Sequence, residues 1–314
     1  MKILVTGGAG FIGSHLCQAL VEREHEVMAM DNLITGSRAN IEHLLPRSGF
    51  RFVEHDVTQP FAGEEWEAVF HLASPASPVS YDKYPIETML VNSVGTYNLL
   101  QSVLRSKARF LLASTSEVYG DPEVHPQPET YWGNVNPVGP RAHYDEAKRF
   151  AEALTMIYVQ KFGLNGRIVR IFNTYGPRSD PQDGRIIPNF ITQALQGKPI
   201  TVYGDGSQTR SYCYVGDLVE GITRAMLAEG TCGQIINLGN PDERSALEIA
   251  EIVKRLAGSP SSIVHVPSRK EEIARRQPDI TKAKQMLGWQ PQAGLEEGLS
   301  QTLAWFRERL AQAQ

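Results

Sequence analysis

The chain has 314 residues and a formal net charge of −4, with 41% hydrophobic and 21% charged residues. This length allows a sizeable core and favours two lobes, and the composition is ordinary for a globular protein. The negative charge gives no electrostatic basis for binding nucleic acid or an anionic membrane. Three cysteines without metal-ligand spacing exclude a disulfide scaffold. Because the chain shows no signal-peptide pattern and no run of roughly 20 apolar residues, we expect a cytoplasmic protein.

Short apolar runs alternate with helical patterns through the first half of the chain. The helical patterns lie near 12–22, 85–105 and 144–162. The predicted strands span 3–6, 27–30, 51–54, 68–72, 110–114 and 167–172. Strands that alternate with helices predict an α/β protein with a doubly wound parallel sheet, the Rossmann fold.

The second half of the chain has a different sequence pattern, in which shorter predicted elements lie between loops rich in Gly, Pro and Asp. We therefore predict a dinucleotide-binding domain at 1–172 and a smaller α/β substrate lobe at 173–314. The apolar run at 234–238 is predicted to return to the main sheet as a strand. The amphipathic pattern near 295–310 predicts a last helix with a structural role.

A glycine-rich turn follows the first predicted strand. Residues 6–13 read Thr-Gly-Gly-Ala-Gly-Phe-Ile-Gly and open the first predicted helix. Glycine permits a tight turn and lets a pyrophosphate approach the helix N-terminus closely. Asp31, at the end of the second strand, is the acidic residue that this fingerprint requires for the ribose. Its charge would repel a 2′-phosphate, so NAD is favoured over NADP; the alternative is a glycine turn with an incidental Asp.

Two further strand ends would lie along a bound dinucleotide. Asp56 and Val57 follow the third strand, and residues 72–74 follow the fourth. Each is equally compatible with an ordinary strand-end turn. The predicted cofactor contacts are Gly7, Gly10, Phe11, Ile12, Gly13, Asp31, Asn32, Asp56, Val57, Leu72, Ala73, Ser74, Tyr144 and Lys148.

The candidate catalytic residues follow the fifth strand and open a later helix. That strand ends in Thr115, Ser116 and Glu117, and Tyr144 and Lys148 stand four residues apart on one helix face. Hydroxyl oxidation needs such a set, because a neighbouring ammonium favours the phenolate of a tyrosine that must lose its proton near neutral pH. The Tyr/Lys spacing alone is a weak signal, since both residues are common on helix surfaces.

Together these features resemble the extended short-chain dehydrogenase/reductase family, whose members act on nucleotide sugars, over nearly the whole chain. Within that family the pattern is most similar to the enzymes that decarboxylate UDP-glucuronate to UDP-xylose. Relatives that dehydrate dTDP-glucose usually carry Asp at the position of Ser116, so Ser116 favours decarboxylation. The segments that carry the resemblance are 71–78, 114–129, 131–137, 139–141, 170–178, 202–210 and 275–280.

The resemblance implies a redox-neutral reaction. Tyr144, its phenolate stabilised by Lys148, takes the proton of the sugar C4 hydroxyl while hydride passes to NAD⁺. The resulting 4-keto group lets CO₂ leave from C6, after which C5 is protonated and C4 is reduced again. Thr115 holds the C4 oxygen, while Ser116 and Glu117 position the ring and manage a proton or water at C5. Since a carboxylate beside an anionic sugar is costly, we expect the pKa of Glu117 to be raised.

The resemblance also implies the substrate contacts. Arg210 and Arg276 suit a diphosphate because a guanidinium binds phosphate oxygens bidentately, and Arg276 can alternatively help at the enolate. The alternatives are solvated surface arginines and, for Tyr203, a core position. The predicted substrate contacts are Asn173, Arg185, Tyr203, Gln208, Arg210 and Arg276.

Some positions depart from the family pattern or are predicted to be structural. Leu90 stands where the family commonly has a Lys near the substrate, which puts one polar contact in doubt. Residues 271–273 read Glu-Glu-Ile where relatives often have two acids and a proline, so we expect altered loop geometry. His71 lies in an apolar strand and is predicted to be a hydrogen-bonded core histidine, because no metal-ligand spacing surrounds it.

Three functions stay open at this point. Decarboxylation leads, epimerisation or dehydration of a nucleotide sugar would use the same Tyr/Lys pair, and a non-catalytic NAD-sensing protein could share the fold. By resemblance, the helices near 85–105 and 144–162 form a homodimer interface, although their apolar stripes could instead pack on the sheet. We expect a UDP-sugar as the partner molecule, and no nucleic acid, membrane or metal.

Overall fold

The computed structural model describes residues 1–61, 65–267 and 275–312. The strands, in chain order, are β1 (Lys2–Thr6), β2 (Glu26–Asp31), β3 (Phe50–Glu54), β4 (Ala68–His71), β5 (Arg109–Thr115), β6 (Gly166–Ile171), β7 (Thr174–Tyr175), β8 (Ile200–Tyr203), β9 (Thr209–Ser211), β10 (Cys213–Tyr214), β11 (Ile235–Leu238), β12 (Glu243–Ser245), β13 (Ile263–Val266) and β14 (Arg275–Arg276). The helices are α1 (Phe11–Glu22), α2 (Pro78–Lys83), α3 (Pro85–Leu90), α4 (Thr96–Ser106), α5 (Ala142–Phe162), α6 (Ile186–Leu195), α7 (Val215–Leu227), α8 (Ala246–Ala257), α9 (Thr281–Leu287) and α10 (Leu295–Gln312). A π-helical segment, Val91–Gly95, joins α3 to α4.

Seven parallel strands of the described chain form the main sheet, in the order β11-β6-β5-β4-β1-β2-β3. The chain runs outward from β1 to β3, returns to β4 on the other side of β1, and continues through β5 and β6 to β11. This is the doubly wound arrangement, and its switch point lies between the carboxyl ends of β1 and β4. The predicted fold class is confirmed, and the six predicted strands form within one residue of their expected bounds.

Burial on both faces of the sheet explains why its strands are continuously apolar. Ile3 and Val5 point into a core shared with α1 and α7. Leu4, between them, points into the opposite core, where Leu100 of α4 and Tyr158 of α5 pack. The two helix layers thus fix the sheet from both sides and leave its carboxyl edge to build a site.

The residues after β6 contribute smaller sheets and a third core. β9 pairs with β12 and β14, β8 pairs with β13, and β7 pairs with β10. The core under these strands comes from α6, α8 and α10, with Phe190, Ile249 and Phe306 fully packed inside. α8 begins at a capping box, in which Ser245 and Glu248 satisfy each other's backbone N–H groups. Among the described helices, none combines the length and apolar character that crossing a membrane requires.

Candidate active site

The site is a cavity of about 670 Å³ at the carboxyl edge of the main sheet. It extends from the glycine turn after β1, past the ends of β2 and β3, to the ends of β4, β5 and β6 and the loop before α6. Parallel strands bring their carboxyl ends together at one edge, so segments distant in sequence share this cavity.

The glycine turn between β1 and α1 is shaped for close approach. Gly7 has a φ of +72°, and a Cβ there would lie 2.8 Å from the backbone nitrogen of Ala73. A Cβ on Gly13 would lie 2.0 Å from the carbonyl oxygen of Gly7. Both positions therefore require glycine, because the turn passes against the backbone that follows β4, and the first turn of α1 packs onto it.

The N-terminus of α1 is chemically ready for an anion. All residues of α1 belong to the described part of the chain, and its N-cap is Gly10. No side chain caps the first N–H groups of this helix, and its first turn has no acidic residue. Such a terminus, with a partial positive charge and exposed N–H groups, suits a pyrophosphate. The cradle at Gly7 and Gly13 leaves room for that group to reach the backbone.

Asp31 ends β2 beside this turn. Its carboxylate accepts hydrogen bonds from the backbone N–H groups of Ala9 at 3.0 Å and Leu33 at 2.8 Å. Burial raises the pKa of Asp31, while the backbone bonds oppose that shift and favour the ionised form. Asn32 donates to Asp56 at 3.0 Å, so the ends of β2 and β3 are tied together where an adenosine would lie.

Tyr144 and Lys148 lie on α5 and reach the cavity beside the end of β5. The Lys148 ammonium donates to the carbonyl of Ala113 at 3.0 Å, which anchors it to β5. The ring of Tyr144 stacks on Tyr81 of α2, with centroids 4.8 Å apart and an angle of 15° between planes. Thr115 lies at the same strand end and lines the same cavity as Tyr144. These contacts fix both candidate groups against the rigid sheet.

Burial controls the titration of this pair in the protein alone. It raises the pKa of Tyr144 to about 12, opposed by the hydrogen bond from Thr115 and the charge of Arg185. It lowers the pKa of Lys148 to about 8, opposed by Glu152. At Tyr144, desolvation in the protein alone therefore outweighs the nearby positive charge. The expectation that Lys148 favours the phenolate stays a prediction.

A carboxylate and two arginines meet at the other end of the cavity, where Glu117 and Arg141 belong to the lining. Glu117, just after β5, pairs with Arg141 through one oxygen and with Arg276 through the other. Arg276 is buried, also donates to the carbonyl of Gly120 at 2.9 Å, and has its pKa lowered to about 9 by burial and by Arg141. Arg141 also lies 3.8 Å from Asp145, whose pKa burial raises to about 6. We call Glu117, Arg141, Asp145 and Arg276 the acid–arginine cluster.

The expected rise in the pKa of Glu117 stays a prediction. The structure places its carboxylate between the guanidinium groups of Arg141 and Arg276. Sequence reasoning missed Arg141, although its place three residues before Tyr144 was the available signal.

The structure brings most of the predicted site residues to one cavity. All fourteen predicted cofactor contacts line it, as do Thr115, Ser116, Glu117, Asn173 and Arg185. Within the described chain, its lining does not include Tyr203, Gln208, Arg210 or Arg276. Arg276 still reaches the site through Glu117, and Arg210 lies opposite Arg276 in the β9–β14 pair. The roles of all these residues stay predictions.

Other positions singled out in the sequence are placed as follows. His71 bonds to the hydroxyls of Thr6 at 2.8 Å and Thr96 at 3.1 Å, and burial lowers its pKa to about 3, as fits the predicted core histidine. Leu90 lies half-exposed at the cavity rim. α10, predicted to be structural, also contributes Trp305 and Arg309 to the cavity mouth. Residues 271–273 lie outside the described residues.

Comparison with known proteins identifies the family. The sequence profile of the NAD dependent epimerase/dehydratase family matches residues 3–239. The chain belongs to this family. Its cofactor is NAD, and the resemblance to extended short-chain dehydrogenases/reductases is confirmed. The glycine cradle, the free N-terminus of α1 and Asp31 fit that cofactor.

Individual relatives match nearly the whole chain. UDP-glucuronic acid decarboxylase 1 of Xenopus tropicalis is 50% identical over 309 residues, covering 98% of this chain and 73% of that protein. UDP-glucuronic acid decarboxylase 5 of Arabidopsis thaliana is 50% identical over 99% of this chain and 90% of its own. The UDP-glucuronic acid 4-epimerase of Bacillus cereus, solved with UDP-glucuronic acid and NAD, is 31% identical with a TM-score of 0.87, covering 98% of this chain and 100% of that one.

Proposed function

We propose that this protein converts UDP-glucuronate to UDP-xylose and CO₂, using NAD that is regenerated within each turnover. The observation that carries the proposal is the acid–arginine cluster, of which Glu117 and Arg141 line the same cavity as Tyr144 and Lys148. The sequence similarity to UDP-glucuronic acid decarboxylases supports the same activity. Ser116, which cannot readily act as the acid for a departing hydroxyl, sets the site apart from a dehydratase.

The first chemical step belongs to the Tyr144 side of the cavity. Bound NAD supplies a hydride acceptor, and its positively charged nicotinamide lowers the cost of a nearby phenolate. Tyr144 accepts the proton of the sugar C4 hydroxyl, and Thr115 holds the C4 oxygen in line with it. Lys148, held by Ala113, keeps a positive charge beside the phenolate. The product of this step is a 4-keto sugar whose carboxylate lies β to the new carbonyl.

The second step belongs to the acid–arginine cluster. A β-keto acid loses CO₂ readily because the electrons left at C5 pass into the neighbouring carbonyl. Arg141 and Arg276 supply positive charge next to Glu117, so an anionic sugar can approach without facing an unpaired carboxylate. Glu117 and Ser116 then manage the proton delivered to C5, and C4 is reduced again by the reverse of the first step.

A second candidate function is 4-epimerisation of the same UDP-sugar. The structural likeness to a UDP-glucuronic acid 4-epimerase favours it, and the Tyr144/Lys148/Thr115 set would serve it equally. The two reactions share the 4-keto sugar as an intermediate and differ in the steps that follow it. An epimerase must keep the carboxylate and present the other face of C4, whereas a decarboxylase must release CO₂ before reduction.

The deciding experiment is incubation of the purified protein with UDP-glucuronate and no added NAD. Decarboxylation predicts CO₂ release and UDP-xylose, with one solvent deuterium at C5 when the reaction runs in D₂O. Epimerisation predicts UDP-galacturonate, whose mass equals that of the substrate. If neither product forms even after NAD is added, although UDP-glucuronate binds, the proposed activity is wrong and a binding protein is favoured.

We also propose a homodimer built by α3, α4 and α5, in the cytoplasm. Large apolar side chains of these helices stand exposed, namely Ile86 on α3, Tyr97 on α4, and Phe150 and Ile157 at helical spacing on α5. Exposed apolar patches of this kind mark contact surfaces. Light scattering tests the dimer: Ile157→Glu should give monomers, and an unchanged dimer mass would place the interface elsewhere.

A further inference from the structure

Arg276 occupies a position that needs precise support. Its guanidinium is 3% exposed, pairs with Glu117 and donates to the Gly120 carbonyl. A buried cation is tolerated only where its partners are placed well, and a small displacement would separate it from Glu117. The backbone around Arg276 therefore has to be fixed from more than one direction.

On one side, β9 provides that support. β14 pairs with β9, which sets Arg276 opposite Arg210. On the other side, the residues that follow Arg276 leave the strand and contact the loop before α5. These residues, 277–279, have no helix of their own to hold them, because α9 begins only at Thr281.

The contact on that second side is Gln127. Its side-chain oxygen accepts from the main-chain N–H of Gln277 at 2.9 Å. Its main-chain N–H donates to the Gln277 carbonyl, also at 2.9 Å. Its carbonyl accepts from the N–H of Asp279 at 3.0 Å. Gln127 thus brackets Pro278 and holds the chain directly after Arg276 at three points.

Gln127 is itself held firmly. It is fully buried, and its side-chain nitrogen donates to the Val124 carbonyl at 2.6 Å. The side-chain amide of Asn237, on β11, donates to the carbonyls of both Gln127 and Asp279. A buried amide network whose groups are satisfied selects one geometry, since any slip leaves a polar group without a partner.

We infer that Gln127 is a positioning residue that places the Arg276 guanidinium against Glu117 by fixing residues 277–279. Its side chain is neutral, so it acts through geometry and not through charge. The inference rests on the proposed function for its effect on turnover, because Arg276 acts there beside the reacting sugar. Misplacing a catalytic group by about 1 Å can cost roughly a hundredfold in rate.

The test compares Gln127→Met with a matched control, Gln193→Met. Gln193 also accepts a backbone N–H through its side chain, from Thr201 at 3.0 Å, but lies on α6 outside the cavity lining. Both substitutions are made in the wild-type protein and in an Arg276→Ala background, with CO₂ release from saturating UDP-glucuronate as the readout. Gln127→Met should lower turnover roughly tenfold to a hundredfold, while Gln193→Met leaves it unchanged. In the Arg276→Ala background Gln127→Met should add no further loss, because the group it positions is gone.

Two results would overturn the inference: wild-type turnover in Gln127→Met, or an equal loss from Gln127→Met with and without Arg276. If the wild-type protein releases no CO₂, the proposed function fails. The positioning role of Gln127 is then tested by amide hydrogen exchange in place of turnover. Faster exchange at 275–279 in Gln127→Met than in Gln193→Met supports the role. Equal exchange in the two variants refutes it.

Discussion

The two ends of the cavity are assembled in different ways. The cofactor end is built by strand ends and the turns that follow them, such as Gly7 after β1 and Asp31 at the end of β2. The acid–arginine cluster joins Glu117 after β5, Arg141 before α5 and Arg276 of β14. The first end therefore depends on local backbone shape, and the second on ion pairs between distant segments. Substitutions at the two ends should fail in different ways.

The largest effect is expected where the two ends meet, at Tyr144. Tyr144→Phe removes the proposed proton acceptor for the C4 hydroxyl and should lower turnover about 10³-fold, with substrate and NAD binding nearly unchanged. Tyr158→Phe, on the same helix with its hydroxyl on Gln101, is the matched control and should stay active. CO₂ release and calorimetric binding check both variants. Substantial turnover by Tyr144→Phe would remove the phenol from the mechanism.

The next effect lies in the acid–arginine cluster. Glu117→Gln keeps the shape but removes the charge between two guanidinium groups, and turnover should fall about 10²-fold while substrate affinity changes less. Glu146→Gln removes a carboxylate that faces Arg149 on the surface of α5 and serves as the control. Steady-state kcat and KM separate the two effects. An unchanged kcat would take Glu117 off the list of reacting groups.

At the cofactor end of the cavity, backbone conformation should determine the affinity for NAD. Gly7→Ala forces an L residue to φ +72° and sets its Cβ against the backbone of Leu72 and Ala73, so NAD affinity should fall by about 2 kcal/mol, roughly thirtyfold. Gly163→Ala is matched, because Gly163 has φ +69° but nothing within 4 Å of an added Cβ. Fluorescence titration with NAD compares them. Equal affinity in the two variants would show that the close approach at Gly7 does not matter.

A substitution of Arg141 tests whether this residue interacts with the sugar carboxylate or with the nucleotide part of the substrate. Arg141→Gln removes one of the two positive groups beside Glu117, and the affinity for UDP-glucuronate should fall about tenfold. Affinity for UDP alone should stay the same, because UDP carries no sugar carboxylate. Competition binding with both ligands measures the difference. Equal losses for both would place Arg141 at the diphosphate instead.

The smallest effect concerns stability and has a defined pH dependence. The folded-state pKa of Lys148 is about 8, below its ordinary value, so folding disfavours the ammonium. Between pH 8 and roughly 10.5, Lys148 is therefore protonated more in the unfolded chain than in the folded protein. The free energy of folding that burial of the ammonium costs is present in full below pH 8 and decreases as pH rises through that range. Lys148→Met should therefore be inactive yet more stable at pH 7 by about 1–3 kcal/mol, and the gain should shrink at pH 10. Urea unfolding at both pH values checks it, and a gain that grows with pH would contradict the assignment.

Sequence patterns predicted the local parts of this molecule better than the assembled ones. The glycine turn, Asp31 and the strand ends could be located because each feature follows from neighbouring residues. The pairing of Glu117 with Arg141 and Arg276 could not, because it depends on where three segments meet in space. The titration of Tyr144 also escaped prediction, since burial is a property of the fold. Gln127 carried no motif, and only its hydrogen bonds reveal its position.

The central claim is that the hydrogen removed from C4 returns to the same carbon of the same sugar. UDP-glucuronate deuterated at C4, given to the protein without added NAD, tests it directly by mass spectrometry of the product. The account predicts UDP-xylose that retains deuterium at C4. UDP-xylose without that deuterium, or a product that keeps its carboxylate, would contradict it.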